Sequence, residues 1–199
     1  MVYLPPCYAT SGVRYPTLIL LHGGGADETQ WPDVGLAAAA DRLINQGRVP
    51  PFIVAAPDGG SDRGSETFVL NQLLPWMDGR LRSRTTRADR GIGGISLGGG
   101  SALRIAASHP GVFGSVGGHS PAVRSADRDL AAILADHGTR MWLDVAQDDS
   151  LRPAVEDLAA KWRSHHVAVE LHVAPGRHDR PYWRSQMENY LIFYAKGWS

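Results

Sequence analysis

With 199 residues, 43% of them hydrophobic, the chain is long enough to bury one sizeable core, and no linker-like stretch divides it, so residues 1–199 read as a single domain. Twenty basic residues balance twenty acidic ones. That excludes a global field drawing the chain to nucleic acid or an anionic membrane, and it points to a small neutral molecule as the partner. A lone cysteine, Cys7, excludes an internal disulfide, and no apolar run approaches the length of a membrane span.

The first residues, "MVYLPPCYAT", carry no basic segment leading into an apolar one. A cytoplasmic protein is expected, though a removed signal peptide would leave no mark, and its assembly is expected to be a monomer or homodimer. Short apolar runs then alternate with longer segments of helical period, the pattern of a mostly parallel sheet flanked by helices on both faces. Strands are expected at "TLILLHG" (17–23) and "FIVAAPDG" (52–59), with a helix between them over "WPDVGLAAAADRLINQG", whose Pro32 suits a first helical turn. A helix bent by Pro75 follows in "ETFVLNQLLPWMDGRLR". Next come a strand "RGIGGIS" (90–96), a helix "SALRIAASHP" and a strand "FGSVGGHS" (113–120). The helix "RDLAAILADHG", the strand "RMWLDVA" (140–146), the helix "PAVEDLAAKWRSH" and the strand "VELHVAPG" (169–176) complete the alternation. The last helix, "RPYWRSQMENYLIFYAKGW", spaces Trp183, Met187, Tyr190, Leu191 and Tyr194 as one apolar stripe for the core.

In such a sheet the reacting groups gather where loops leave the carboxyl ends of the strands. Ser96 ends the third of these runs inside Gly94-Ile95-Ser96-Leu97-Gly98, a G-x-S-x-G pattern between a strand and a helix. A sharp turn there would expose the hydroxyl as a nucleophile at a helix N-terminus, whose N–H groups favour developing negative charge. A common glycine turn with a capping serine has the same letters, so the rest of the chain has to decide. After the first strong strand, "LHGGGADETQW" offers successive glycines whose N–H groups can face a carbonyl oxygen. The oxyanion hole is assigned to the amides of Gly24 or Gly25 and of Leu97, each donor of this kind being typically worth about 3 kcal/mol in a transition state. His22 reads as a structural anchor for that loop. A phosphate-binding loop would need a G-K-[ST] ending, which is missing.

Of the eight histidines, position excludes most, and His178 falls in the loop between the last strand and the last helix, from which a ring could reach Ser96. The neighbouring Asp179 reads as the N-cap of the last helix. The acid that orients the imidazole lies among Asp144, Asp148 and Asp149. Asp144 belongs inside its strand, which leaves the adjacent pair in the loop. The chain order Ser, Asp, His is that of the α/β-hydrolase arrangement. Trp31 and Trp183 are candidate contacts for an aryl group of the substrate. Neither H-E-x-x-H nor a cysteine-rich ligand spacing occurs, so no metal and no cofactor is expected, and a zinc site from His22, His119 and His178 has no ligand spacing behind it.

Taken together, "VYLPPCY", "LHGGGADETQW", "APDGG", "GISLGGGSAL", "DVAQDDSL" and "PGRHDRPYW" resemble, in order and over nearly the whole chain, the esterase D-like branch of the α/β-hydrolases. That branch includes feruloyl esterases, S-formylglutathione hydrolases, enterochelin esterases and mycolyltransferases. The resemblance implies an α/β-hydrolase fold. Aligned on the family's G-x-x-D-x-L pattern, "AQDDSL" puts Asp149 at the acid position, with Ala146 replacing the glycine and Asp148 held in reserve. Leu97 and Gly100-Ser101 depart from the formylglutathione-hydrolase pattern. Members usually carry one or two strands before the "YLPP" motif, so either a minimal sheet or an N-terminally shortened chain is expected here. Only about twenty residues join the fourth and fifth strands, too few for a lid domain. The expected activity is hydrolysis of carboxylic esters, short-chain or aryl, through Ser96, His178 and Asp149 and an acyl-enzyme. An acyltransferase with the same three residues is the alternative.

Overall fold

The computed structural model describes residues 1–59 and 64–198. The expectation that "APDGG" continues through Gly60 falls outside the described residues.

Among the described residues, seven strands form one sheet in the order β1-β3-β2-β4-β5-β6-β7. They are β1 (Val2–Tyr3), β2 (Thr17–Leu21), β3 (Ile53–Ala55), β4 (Arg90–Ile95), β5 (Ser115–His119), β6 (Arg140–Ala146) and β7 (Glu170–Ala174). Every pairing is parallel except that of β1 with β3. Strand β1, two residues long, is not among the expected strands, because so short a run has no readable alternation. All five residues of β2 and of β5 are buried, as expected of strands covered on both faces.

The helices are α1 (Gln30–Asp33), α2 (Leu36–Asn45), α3 (Ser65–Phe68), α4 (Leu74–Arg80), α5 (Leu97–Ser108), α6 (Leu130–Asp136), α7 (Arg152–Ser164) and α8 (Arg180–Ala195). Two buried clusters lie on opposite sides of the sheet. One joins α4, α5, α6 and α7 to it, and the other joins α1, α2 and α8. The single helix expected over residues 31–47 is in fact two, because Gly35 adopts φ 89° and turns the chain between α1 and α2. Around Pro75 the chain is helical without a break from Ser65 to Arg80. A π-helical turn over Val69–Leu73 leads directly into α4, and it falls in the turn before Pro75, where the proline ring and its missing N–H disrupt the regular α-helical ladder. Helix α5 begins four residues earlier than expected, directly after Ser96. The β5–β6 connection holds a short 3₁₀ turn (Ser125–Asp129) and α6.

Candidate functional site

Because β4, β6 and β7 run parallel, the loops after them leave the same edge of the sheet, and Ser96, Asp149 and His178 each stand in one of these loops. Ser96 has φ 55° and ψ −117°, outside the regions open to ordinary residues. Such a conformation costs on the order of 1–3 kcal/mol and persists only where neighbours over-determine it. Here the Ser96 N–H donates to the His119 carbonyl (2.9 Å). The Ser96 carbonyl accepts from the N–H groups of Ala122 (2.8 Å) and Gly100 (3.1 Å). The flanking glycines are steric necessities. A Cβ on Gly94 would overlap the Gly98 carbonyl, and one on Gly98 would overlap the carbonyl oxygens of His22 and Leu21. The spacing G-x-S-x-G is therefore the spacing at which the turn has no room for side chains.

The β2–α1 loop lies against this turn. A Cβ on Gly23 would stand 3.4 Å from that of Ser96, and one on Gly24 would strike the Leu97 side chain. Gln30, itself buried, accepts from the Gly23 N–H through Oε1 at 2.7 Å. His22 accepts from the Gly59 N–H at Nε2 (3.2 Å), so its Nδ1 carries the proton and donates to the Gly23 carbonyl (2.8 Å). The anchoring role expected of His22 is what the geometry provides. Gly24 and Gly25 are exposed beside Leu97, whose amide lies in the first turn of α5 without an intrahelical acceptor. Gln30 escaped the sequence reading; its one signal was a polar side chain between the glycine loop and a buried tryptophan.

His178, in the β7–α8 loop, donates from Nδ1 to Asp149 Oδ2 at 2.7 Å. The Asp149 side chain is fully buried, whereas that of His178 is 32% exposed. Asp149 Oδ1 accepts from the Leu151 N–H at 2.8 Å, so both carboxylate oxygens are held. Asp148 is exposed and contributes only its backbone N–H, bonded to the Gly176 carbonyl at 3.0 Å. Geometry thus separates the two neighbours. Asp179 caps α8 by accepting from the Tyr182 N–H.

The two candidate aryl contacts need correction in one case. Trp31 is wholly buried, donates from Nε1 to the Leu21 carbonyl (3.2 Å) and meets His119 edge-on, so it is a core residue with no surface to offer a substrate. Trp183 is 5% exposed and sets its ring perpendicular to that of His178, with centroids 5.1 Å apart, so its contact is with the imidazole. His119 is buried on Asp144, and the three histidines His22, His119 and His178 are committed to three different partners.

A strained serine between glycines at the end of a central parallel strand, a glycine loop beside it and a buried Asp–His pair at the same edge define the α/β-hydrolase class. The family described as "Putative esterase" matches residues 1–194, and the chain belongs to it. Over 149 residues the chain is 36% identical to the protein named Esterase Rv1288 of Mycobacterium tuberculosis, an alignment covering 67% of this chain and 31% of that one. It is 33% identical over 130 residues to the endo-1,4-beta-xylanase/feruloyl esterase of Xylanibacter ruminicola, covering 57% and 18%. The chain thus spans about a third or less of the length of these relatives. Among solved structures, a ferulic acid esterase superposes with a TM-score of 0.87 at 24% identity, covering 98% of this chain and 91% of that one. A feruloyl esterase module from Clostridium thermocellum, complexed with sinapinate, superposes at 0.85 with 18% identity, covering 100% and 83%. Among the described residues, no helix is long and apolar enough to cross a membrane.

Proposed function

We propose that the chain hydrolyses carboxylic esters through Ser96, His178 and Asp149. The observation that carries the reading is the buried Asp149–His178 pair at the sheet edge where the strained Ser96 turn stands. With Nδ1 bonded to Asp149, the neutral imidazole presents Nε2 as a base. His178 Nε2 takes the Ser96 proton as Oγ attacks the ester carbonyl. The amides of Leu97 and of Gly24 or Gly25 donate to the oxyanion. Collapse breaks the ester C–O bond, and the imidazolium returns its proton to the leaving alcohol. Water, deprotonated by the same nitrogen, then attacks the acyl-Ser96 ester, and as the acyl C–O bond breaks the imidazolium returns that proton to Ser96 Oγ, which frees the acid and restores the serine. Asp149 stabilises the imidazolium and keeps its own charge throughout.

The named feruloyl esterases among the relatives and neighbours support aryl esters beside short-chain ones as substrates. The open approach to His178 and the exposed Leu97 suit an ester with a bulky group on one side. The test is hydrolysis of p-nitrophenyl acetate, p-nitrophenyl butyrate and methyl ferulate by the chain and by Ser96→Ala. Activity that vanishes in the variant is expected. Equal activity of the variant, or a folded but inert parent, would overturn the reading.

A further inference from the structure

Beneath the site lies a second histidine–aspartate pair that the proposed chemistry does not use. Asp144, near the carboxyl end of β6, is fully buried, and so is His119 at the end of β5. Asp144 Oδ1 accepts from His119 Nδ1 (2.7 Å) and Trp142 Nε1 (3.0 Å). Oδ2 accepts from the hydroxyls of Tyr190 (2.8 Å) and Tyr182 (2.9 Å). Four donors on two oxygens fill the carboxylate's capacity. With Nδ1 donating, His119 Nε2 accepts from the Tyr194 hydroxyl at 3.1 Å. That hydroxyl enters the sheet itself. A Cβ on Gly93 of β4 or Gly117 of β5 would overlap it, so two glycines in buried strands keep its place open.

The two ends of this network are the two halves of the site. Through its backbone carbonyl, His119 holds the Ser96 N–H, and Asp144 likewise holds the N–H of Ser120. Tyr182 stands in the first turn of α8, bonded through its N–H to Asp179, the residue after His178. Trp183, next in that turn, packs on the His178 ring. A hydrogen-bonded path therefore runs from the Ser96 backbone through His119, Asp144 and Tyr182 to the residue beside His178. Core stability alone would not require it. Apolar residues of similar volume commonly replace buried polar groups at no loss, whereas donors of fixed length and direction set a distance.

Resting on the proposed esterase reading, we propose that Asp144, His119 and Tyr182 are positioning residues that hold α8, and with it His178, in register with Ser96. Misplacement of a base by an ångström costs up to about a hundredfold in rate, so loss of one bond of the path should slow the chemistry without changing binding. Tyr182→Phe deletes one hydroxyl and keeps the ring. Tyr190→Phe deletes the neighbouring bond two turns further from His178. Tyr3→Phe is the control: its hydroxyl bonds Asp41 at 2.7 Å, on the β1 edge of the sheet.

The readouts are the rate of Ser96 labelling by a fluorophosphonate probe, and kcat and KM for p-nitrophenyl acetate well below the melting temperature. Labelling and kcat are expected to fall about tenfold in Tyr182→Phe and less in Tyr190→Phe, with KM within about twofold. Tyr3→Phe should lower the melting temperature alone. If Tyr182→Phe and Tyr190→Phe melt lower yet label at the parent rate, the network is only structural and the proposal fails. If the parent chain is not labelled, or Ser96→Ala still turns over ester, the esterase reading fails and this inference with it.

Discussion

Replacing Asp149 by asparagine tests the division of labour between two adjacent acids. The introduced amide would keep its carbonyl oxygen for the Leu151 N–H, now held at 2.8 Å, and so turn its N–H₂ toward His178. A donor there can be met only by an unprotonated Nδ1, so the imidazole proton moves to Nε2 and the base can no longer take a proton from Ser96. The imidazolium also loses the charge that stabilises it at 2.7 Å. Wrong-tautomer substitutions of this kind lower kcat by about 10⁴, roughly 5.4 kcal/mol at about 1.36 kcal/mol per decade. Since His178 is 32% exposed and water can restore part of the interaction, a loss of about 10³ to 10⁴ is expected here. Steady-state hydrolysis of p-nitrophenyl acetate measures it, with circular dichroism to show retained fold. Asp148→Asn, at an exposed side chain, should stay within about twofold of the parent. An Asp149→Asn enzyme keeping a tenth of its kcat, or an equal loss in Asp148→Asn, would refute the assignment.

Gly98→Ala should lower the melting temperature by about 5 °C or more, from roughly 2 kcal/mol of overlap with the Leu21 and His22 carbonyls; a melt within a degree of the parent would mean the turn has slack. Trp31→Phe, a core change, is expected to alter KM for aryl and acetyl esters equally, and a selective rise for the aryl ester would restore Trp31 to the substrate. Burial first, and the Asp144 charge second, raise the Tyr190 and Tyr194 hydroxyls well above their ordinary value of 10.0. Below about pH 10 both folded and unfolded chains keep these protons and nothing changes. Above it the unfolded chain releases them while the folded chain does not, so stability falls by about 1.4 kcal/mol per pH unit for each tyrosine. In denaturant titrations from about pH 8 to 11, the parent and Tyr190→Phe should run parallel up to about pH 10 and diverge by that slope above it, and curves parallel throughout would refute it.

Much of the site was legible because its constraints are local. Gly94 clears the Gly98 carbonyl within the turn itself, although Gly98 clears the carbonyls of Leu21 and His22 at the end of the neighbouring strand, and Asp179 caps its helix through a bond to the third residue on. Ser96, His178 and the glycine loop could thus be placed by strand ends and chain order. The stripe Trp183, Met187, Tyr190, Leu191 and Tyr194 is legible as core from its period, and all five are buried. What remained hidden depends on contacts across many residues. Hydrophobic period shows that Tyr190 and Tyr194 face inward, but it cannot show that their hydroxyls reach Asp144 and His119, 46 and 75 residues away.

By itself, then, the sequence determined an alternating parallel sheet, its helices, and the places of Ser96 and His178 at strand ends, since each rests on a local pattern of burial or backbone freedom. Only the tertiary structure separates Asp148 from Asp149, which are neighbours in the chain but point into different surroundings, one to solvent and one to His178. It also moved Trp31 from substrate to core and joined Tyr182, Asp144 and His119 into one network. A side chain's direction and partner are set by what packs against it from distant elements, and that information appears only when the chain has folded.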